Sequence, residues 1–406
     1  MKKFLKDEPT RILLLVHRLT GVIHYFVSSF LVIYFLKITD WDIRLVALNG
    51  IVGNIVNVLF FYILGTKLTK SNITKFYKAG TLLKALYAII IILLGVRVKE
   101  YIVPLGALWG MAMALYWIPR HYMIYRFNTV EKSKKFFGLE GAFEKIEGVL
   151  TPILMGGIIS YATDGYLIVA LILGIVVSMA FIISNYLEFE GEAIENSSYS
   201  KMKSYLTGNE IKNMKNIYIA DFSRNISRTS FSKVFAALVY LEYGSEFGLG
   251  SFKAVVAISL GVLSLIVSKS LKSKNRNQLL IIAGLGIVFP MILLLYNVSE
   301  VTLMLYSILT GVGFVILNII KGTTMMEIVK NDNFKKYTLE NIIVREAVMN
   351  FARIIGYLGL LIVGNIKENI WGLKMFFAFI ILTNIVTVIG IYVSGNNKDS
   401  EELIAN

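Results

Sequence analysis

One long uncharged stretch of the chain, from Tyr166 to Ser184, reads "YLIVALILGIVVSMAFIIS". As a helix rising 1.5 Å per residue it reaches about 28 Å. That matches the hydrocarbon core of a bilayer, where every backbone polar group must be satisfied within the segment. "ALYAIIIILLGV" from Ala85 and "MFFAFIILTNIVTVIGIYV" from Met375 repeat the pattern. Blocks of this length, recurring along the chain, predict an all-α polytopic membrane protein.

Composition agrees. Of 406 residues, 56% are hydrophobic and only 17% charged, and mean hydropathy is +0.67. A soluble surface would need far more charge. Cysteine is absent, which excludes disulfides, thiolate metal sites and cysteine nucleophiles. His17, His24 and His121 are too scattered for a zinc motif. No cofactor or metal is expected. The start, "MKKFLKDEPTR", has no small-residue cleavage site and reads as a cytosolic tail before an uncleaved first span.

About twelve spans are expected, at roughly 12–36, 43–65, 76–96, 101–124, 136–160, 165–187, 215–240, 248–268, 277–296, 300–325, 341–365 and 370–393. The connections alternate in charge. Lys67, Lys70, Lys75 and Lys78 follow span two, and Lys201, Lys203, Lys212 and Lys215 follow span six. The opposite loops "TDG" and "NVSE" carry no base; Lys37, Arg44, Arg97, Lys99 and Lys367 are the exceptions. The net charge of +14 is therefore read as positive-inside topology rather than nucleic-acid binding. Both termini are expected in the cytosol, with the protein multi-pass in the cell membrane.

Residues 188–214 are polar, first acidic and then basic, and form the expected cytosolic linker. They divide a six-helix bundle at 1–187 from a second at 215–406. The halves look related. A shift of 200 residues places Lys135 on Lys335, Leu139 on Leu339, Glu140 on Glu340 and Gly156 on Gly356.

Six plus six spans about a cytosolic linker resemble the major facilitator superfamily, over nearly the whole chain. That family's loop between spans two and three usually reads Gly-x-x-x-Asp-Arg-x-Gly-Arg-Arg/Lys. Here "GTKLTKSNITK" keeps Gly65, Lys70 and Lys75, with Thr69 at the acidic position and Asn72 at the second glycine. "GVLTPILMGG" (148–157) is similar to the proline-glycine motif of the family's antiporters, with Thr151 replacing the glycine before Pro152. The resemblance implies that spans one, four, seven and ten border a central cavity.

Charges inside spans are costly and mark partners or water. Glu140, Glu144 and Glu147 stack on one helical face. The first two are interfacial or gating residues by depth, while Glu147 falls about 16 Å in. It is either a coupling carboxylate or half of a buried pair. Asp221, Arg224 and Arg228 form a second charged face, with Asp221 expected to neutralise Arg224. Glu346, Asn350 and Arg353 form a third. In span one, His24 is a packed hydrogen-bonder or a proton carrier. Pro119 makes a kink plausible before Arg120.

If the implied cavity carries over, Arg18, Arg120, Arg224, Arg228 and Lys321 make it basic, and Tyr116, Trp117 and Tyr25 add aromatic surface. Such a cavity suits a small anionic or amphiphilic anionic substrate. Glu140, Glu144, Glu147, Asp221, His24 and Arg353 are the coupling or gating candidates. The expected function is secondary transport by alternating access, with proton coupling open. No phosphate-binding Gly-Lys-Ser/Thr loop supports ATP drive, and no catalytic constellation supports an enzyme. An anionic-lipid flippase, for which a side opening between helices would speak, and a non-transporting sensor or assembly protein are the alternatives.

Overall fold

A computed structural model describes residues 9–127, 130–189, 197–270, 276–329 and 336–405. Among them the chain is helical, without strands. The first half comprises α1 (Pro9–Ile38), α2 (Arg44–Lys67), α3 (Ile73–Leu94), α4 (Ile102–Phe127), α5 (Val130–Tyr161) and α6 (Gly165–Ser184). A short helix α7 (Tyr199–Thr207) follows. The second half comprises α8 (Asn209–Tyr243), α9 (Glu246–Ser270), α10 (Arg276–Tyr296), α11 (Glu300–Val329), α12 (Thr338–Val363) and α13 (Ile370–Ala405). Nine described helices are long and apolar enough to cross a membrane. α3, α5 and α8, of 22, 32 and 35 residues, complete the set of long helices. Twelve long helices in succession return the chain to the face where it began. That face is called the terminal face below, and its opposite the far face.

Local chemistry sets the ends. Pro9 opens α1, where its missing N–H is no loss. Ser198 caps α7 by accepting from the Lys201 N–H at 3.1 Å. Gly244, at φ +70°, closes α8 in the left-handed conformation that spares a Cβ. α4 continues as helix through Pro119. In the terminal-face turn after α2, Asn72 takes the place of the family's glycine. Its Oδ1 accepts from the Thr69 N–H at 2.7 Å and its Nδ2 donates to Lys67 O at 2.8 Å.

α1 is not uniform. Residues Phe26–Phe30 form a π turn between two α-helical stretches. Such turns widen the backbone and occur at functional sites.

The two halves meet along two seams. α2 lies on α12, with Gly50 against the Tyr357 ring and Gly65 against Ile343, so this seam is closed along its length. α5 lies on α9 through Gly156 against Glu246 O, Gly250 against Pro152 O, and Gly148 against Ala257. Small residues allow this approach, as in membrane helix pairs generally. Further toward the terminal face this second seam parts. A Cβ placed on Gly141 or Gly261 would meet nothing within 4 Å.

The far face is shut. Asp42 and Asn365 form an antiparallel bridge, flanked by Ile43 N–H to Gly364 O at 3.0 Å and Ile366 N–H to Trp41 O at 3.1 Å. Arg44 donates to both Asp42 carboxylate oxygens and holds that carboxyl below its ordinary range. Nearby, Lys37 Nζ pairs with Glu246 Oε1 at 2.5 Å, and Tyr166 donates to the same oxygen at 2.9 Å. Beneath these contacts a hydrophobic cluster joins both halves, including Phe30, Phe231, Phe252 and Phe377. On the terminal face α7 is tied down by Tyr205 and Tyr218, whose hydroxyls lie 2.6 Å apart. Tyr218 donates to Asn341 Oδ1 at 2.7 Å.

Candidate substrate cavity

Between the halves lies a cavity of about 650 Å³, lined by α1, α2, α4, α5, α8 and α12. Its lining holds five basic residues, Arg18, Arg228, Lys233, Arg345 and Arg353, against three acidic ones, Glu144, Glu147 and Glu346. The balance is positive, and it is unevenly placed. Glu144 and Glu147 are on the first half's wall, and all the basic groups except Arg18 are on the second half's wall.

The acidic stripe of α5 is anchored on α1 and α4. Glu140 Oε1 receives Arg120 Nη2 at 2.5 Å and His17 Nε2 at 2.9 Å, with Arg18 Nη2 at 3.8 Å. The other ring nitrogen of His17 lies 2.6 Å from the Tyr116 hydroxyl. With Glu140 ionised, Nε2 carries the proton and Nδ1 accepts from Tyr116. Two turns deeper, Glu147 Oε2 pairs with Arg18 Nη1 at 3.3 Å. Glu144, exposed to the cavity, makes no ion pair among the described residues.

The opposite wall is basic. Arg353 donates from Nε to Asn225 Oδ1 at 3.3 Å and from Nη1 to Asn350 Oδ1 at 3.2 Å. Arg228 is exposed at the cavity and has no hydrogen bond or ion pair among the described residues. Two lysines meet the π turn of α1: buried Lys233 donates from Nζ to Val27 O at 3.4 Å, and part-buried Lys253 donates from Nζ to the Ser29 hydroxyl. Across the cavity, His121 Nε2 stands 3.6 Å from Glu346 Oε1, linking α4 to α12.

Several expected residues therefore meet here: Arg18, His24, Trp117, Glu144, Glu147, Arg228 and Arg353 line the cavity. Others stand elsewhere. Tyr116 is fully buried in the first half behind His17. Arg120 spends its guanidinium on Glu140 and stacks over Trp117 at 5.1 Å. Arg224 donates to Asn318 and sits 4.6 Å over the Phe314 ring. Lys321 is held by Asp221 at 2.5 Å. None of these four, nor Glu140 or Asp221, is in the lining. The partner expected for Asp221 is corrected too. It neutralises Lys321 and Arg345 (2.9 Å) from α11 and α12, not Arg224 on its own helix. A desolvated carboxylate takes the cations nearest in space, and spacing along one helix does not reveal them.

Three inward lysines were passed over in the sequence. Lys84 is completely buried, with Nζ 3.1 Å from the Tyr116 ring centroid and 3.5 Å from His24 Nε2. Lys233 and Lys253 complete the set. Lys84 and Lys253 each interrupt an apolar stretch, and that was the available signal, whereas Lys233 follows Arg224 and Arg228 on a helix already marked by charge.

No protein-family profile matches the chain. An uncharacterised protein of Bacillus subtilis (strain 168), YqgE, is 23% identical over 317 residues, covering 76% of this chain and 72% of that one. An uncharacterised protein encoded in the sodM 3′ region of Geobacillus stearothermophilus is 28% identical over 153 residues, or 37% of this chain and 71% of its own. Solved structures resemble it along nearly all its length. The nucleoside transporter NupG superimposes with TM-score 0.65 at 12% identity, covering 97% of this chain and 98% of that one. A POT family transporter in complex with 5-aminolevulinic acid gives 0.67 at 12%, covering 95% and 94%. A bacterial homologue of the iron transporter ferroportin, in an inward-facing state, gives 0.65 at 14%, covering 94% and 98%. The chain shares the fold of these transporters. At these identities the likeness concerns architecture, and the chemistry has to be read from the cavity.

Proposed function

We propose that this protein is a secondary active transporter moving a small anionic or amphiphilic anionic substrate by alternating access, with both termini in the cytosol. The observation that carries this reading is Arg228, a guanidinium at the cavity without a partner, beside Lys233 and Arg353. A cation kept unpaired in a low-dielectric site is costly unless a ligand completes it. The fold neighbours support transport as the general activity. One of them, a POT family transporter, is in complex with 5-aminolevulinic acid, a carboxylate-bearing molecule, which supports the reading. The closed far face and the parted end of the α5/α9 seam correspond to a state open toward the terminal face. Alternating access then requires the Asp42–Asn365 bridge and the Lys37–Glu246 pair to break in the other state.

Glu147 is the coupling candidate. Its partner Arg18 lies in the same half, so rotation of one half against the other leaves the pair intact, and the carboxylate remains available to a proton from the cavity. The parting of α5 from α9 below Gly148 favours one further reading, in which the substrate enters sideways from the membrane as a lipid-like anion. Uptake of a radiolabelled anion panel into proteoliposomes, with and without a pH gradient, tests these readings. Arg228→Gln should abolish uptake of the transported anion, and Glu147→Gln should abolish gradient-driven accumulation while exchange persists. Transport confined to cations, indifferent to Arg228→Gln, would refute the anionic reading.

A further inference from the structure

Behind the basic wall is a second cavity of about 250 Å³, enclosed by α8, α9, α11 and α13. Arg228 and Ser232 line both cavities, so the two adjoin at the unpaired guanidinium. The character of the second differs from the first. Phe231, Phe235, Val256, Tyr306, Phe314 and Ile380 supply its walls, and Arg228 is the only charged residue among its described lining. The Phe235 and Tyr306 rings lie 4.9 Å apart, and Phe231 and Tyr306 5.1 Å, forming one aromatic surface. The serines present are turned back on their own helices. Ser227 donates to Arg224 O and Ser307 to Leu303 O, both at 2.9 Å. Asn384, also in the wall, gives its Nδ2 to Met291 Sδ at 3.8 Å, and its buried Oδ1 has no hydrogen-bond partner. A sugar or peptide backbone would find few partners here. An apolar group would lie against the aromatic walls, and one ending in a hydroxyl or amine would satisfy Asn384.

We infer that the substrate is an anion bearing an apolar, ring-sized group, with its acid on Arg228 and its apolar part in this side pocket. The inference rests on the anionic reading above and adds the second recognition element. Arg228 sits at the junction, so one molecule reaches both without crossing the cavity. Each methylene buried on binding is worth roughly a fourfold gain in affinity. The pocket therefore separates acids by their tails even though Arg228 treats their carboxylates alike.

Calorimetry on the purified, detergent-solubilised protein with acetate, benzoate and 2-naphthoate tests this. Benzoate or 2-naphthoate should bind at least about tenfold more tightly than acetate, in keeping with the apolar area each buries. Ser307→Phe fills the pocket and should bring the affinity ratio toward one. Ser307→Leu serves the same purpose with less volume, and size-exclusion profiles identify which variant is folded. Equal affinity for the three acids, or a ratio unchanged by a folded pocket-filling variant, overturns the inference and leaves the anionic reading standing. Binding of none of the three overturns both.

Discussion

Arg18 Nη1 and Glu147 Oε2 lie 3.3 Å apart, and their approach passes over Gly21, where a Cβ would sit 2.9 Å from the carboxylate oxygen. α5 is thereby drawn onto α1 at the depth of the cavity. The acidic stripe is fixed on the first half by two arginines and a histidine: Arg120, Arg18 and His17. The first half thus carries its own charge balance, and the second half's unpaired Arg228 is left facing the cavity.

Removing one member of the Arg18–Glu147 pair leaves the other charge poorly solvated. Arg18→Met should lower stability by roughly 3 kcal/mol, and adding Glu147→Leu should recover most of it. Thermal unfolding in detergent across the double-mutant cycle measures this. A double variant no more stable than Arg18→Met alone would show that the two residues do not interact.

Glycines in this fold divide by what surrounds them. Gly110 packs on Gly53 O and Asn57 N, so Gly110→Ala forces backbone apart and should cost about 1–3 kcal/mol or more. Gly141 faces open space, and Gly141→Ala should be neutral or stabilise by up to about 1 kcal/mol through helix propensity. Melting temperatures of the two variants should move in clearly different ways; a matched loss at both would mean that α5 packs closely at Gly141.

The far-face bridge can be locked. Asp42 and Asn365 form a non-hydrogen-bonded antiparallel pair, a geometry with Cα atoms about 4.5 Å apart. That is within disulfide range, and the chain has no native cysteine. Asp42→Cys with Asn365→Cys should crosslink under mild oxidation and stop transport, with recovery on reduction. Full transport by the oxidised, crosslinked protein would contradict opening at this face.

Orientation is open to direct labelling. Ser200 is exposed at the start of α7, and Thr163 is exposed in the turn between α5 and α6 on the far face. In intact cells, Thr163→Cys should react with an impermeant maleimide and Ser200→Cys only after lysis. The opposite pattern would invert the topology.

The apolar blocks made the helices readable because a bilayer demands both length and uninterrupted backbone pairing. The linker's polarity was equally plain, but helix α7 within it was not. Its order comes from Tyr205 and Tyr218 reaching Asn341, a partner 136 residues from Tyr205 and 123 from Tyr218. Helical spacing put Glu144 and Glu147 on one face, and both line the cavity, yet spacing could not name Arg18 as the partner of Glu147. The same limit explains Asp221, whose cations come from 100 and 124 residues away. Residue types alone could not announce the π turn at Phe26–Phe30. Of the lysines that dock on it, Lys253 was visible in the sequence as a cation within an apolar stretch.

The contact that seals the far face is made by main-chain atoms of residues 41–43 and 364–366. Peptide groups are the same whatever side chains they carry, so this closure works like a short zip whose teeth do not depend on spelling. It can part and re-form without any side chain searching for a new partner. Substitutions at the half-exposed Asp42 and Asn365 are tolerable as long as the amide hydrogens of Ile43 and Ile366 remain, whereas Ile43 and Ile366 are themselves buried and Gly364 holds a φ of +60° that favours glycine. Proline at position 43 or 366 removes a tooth.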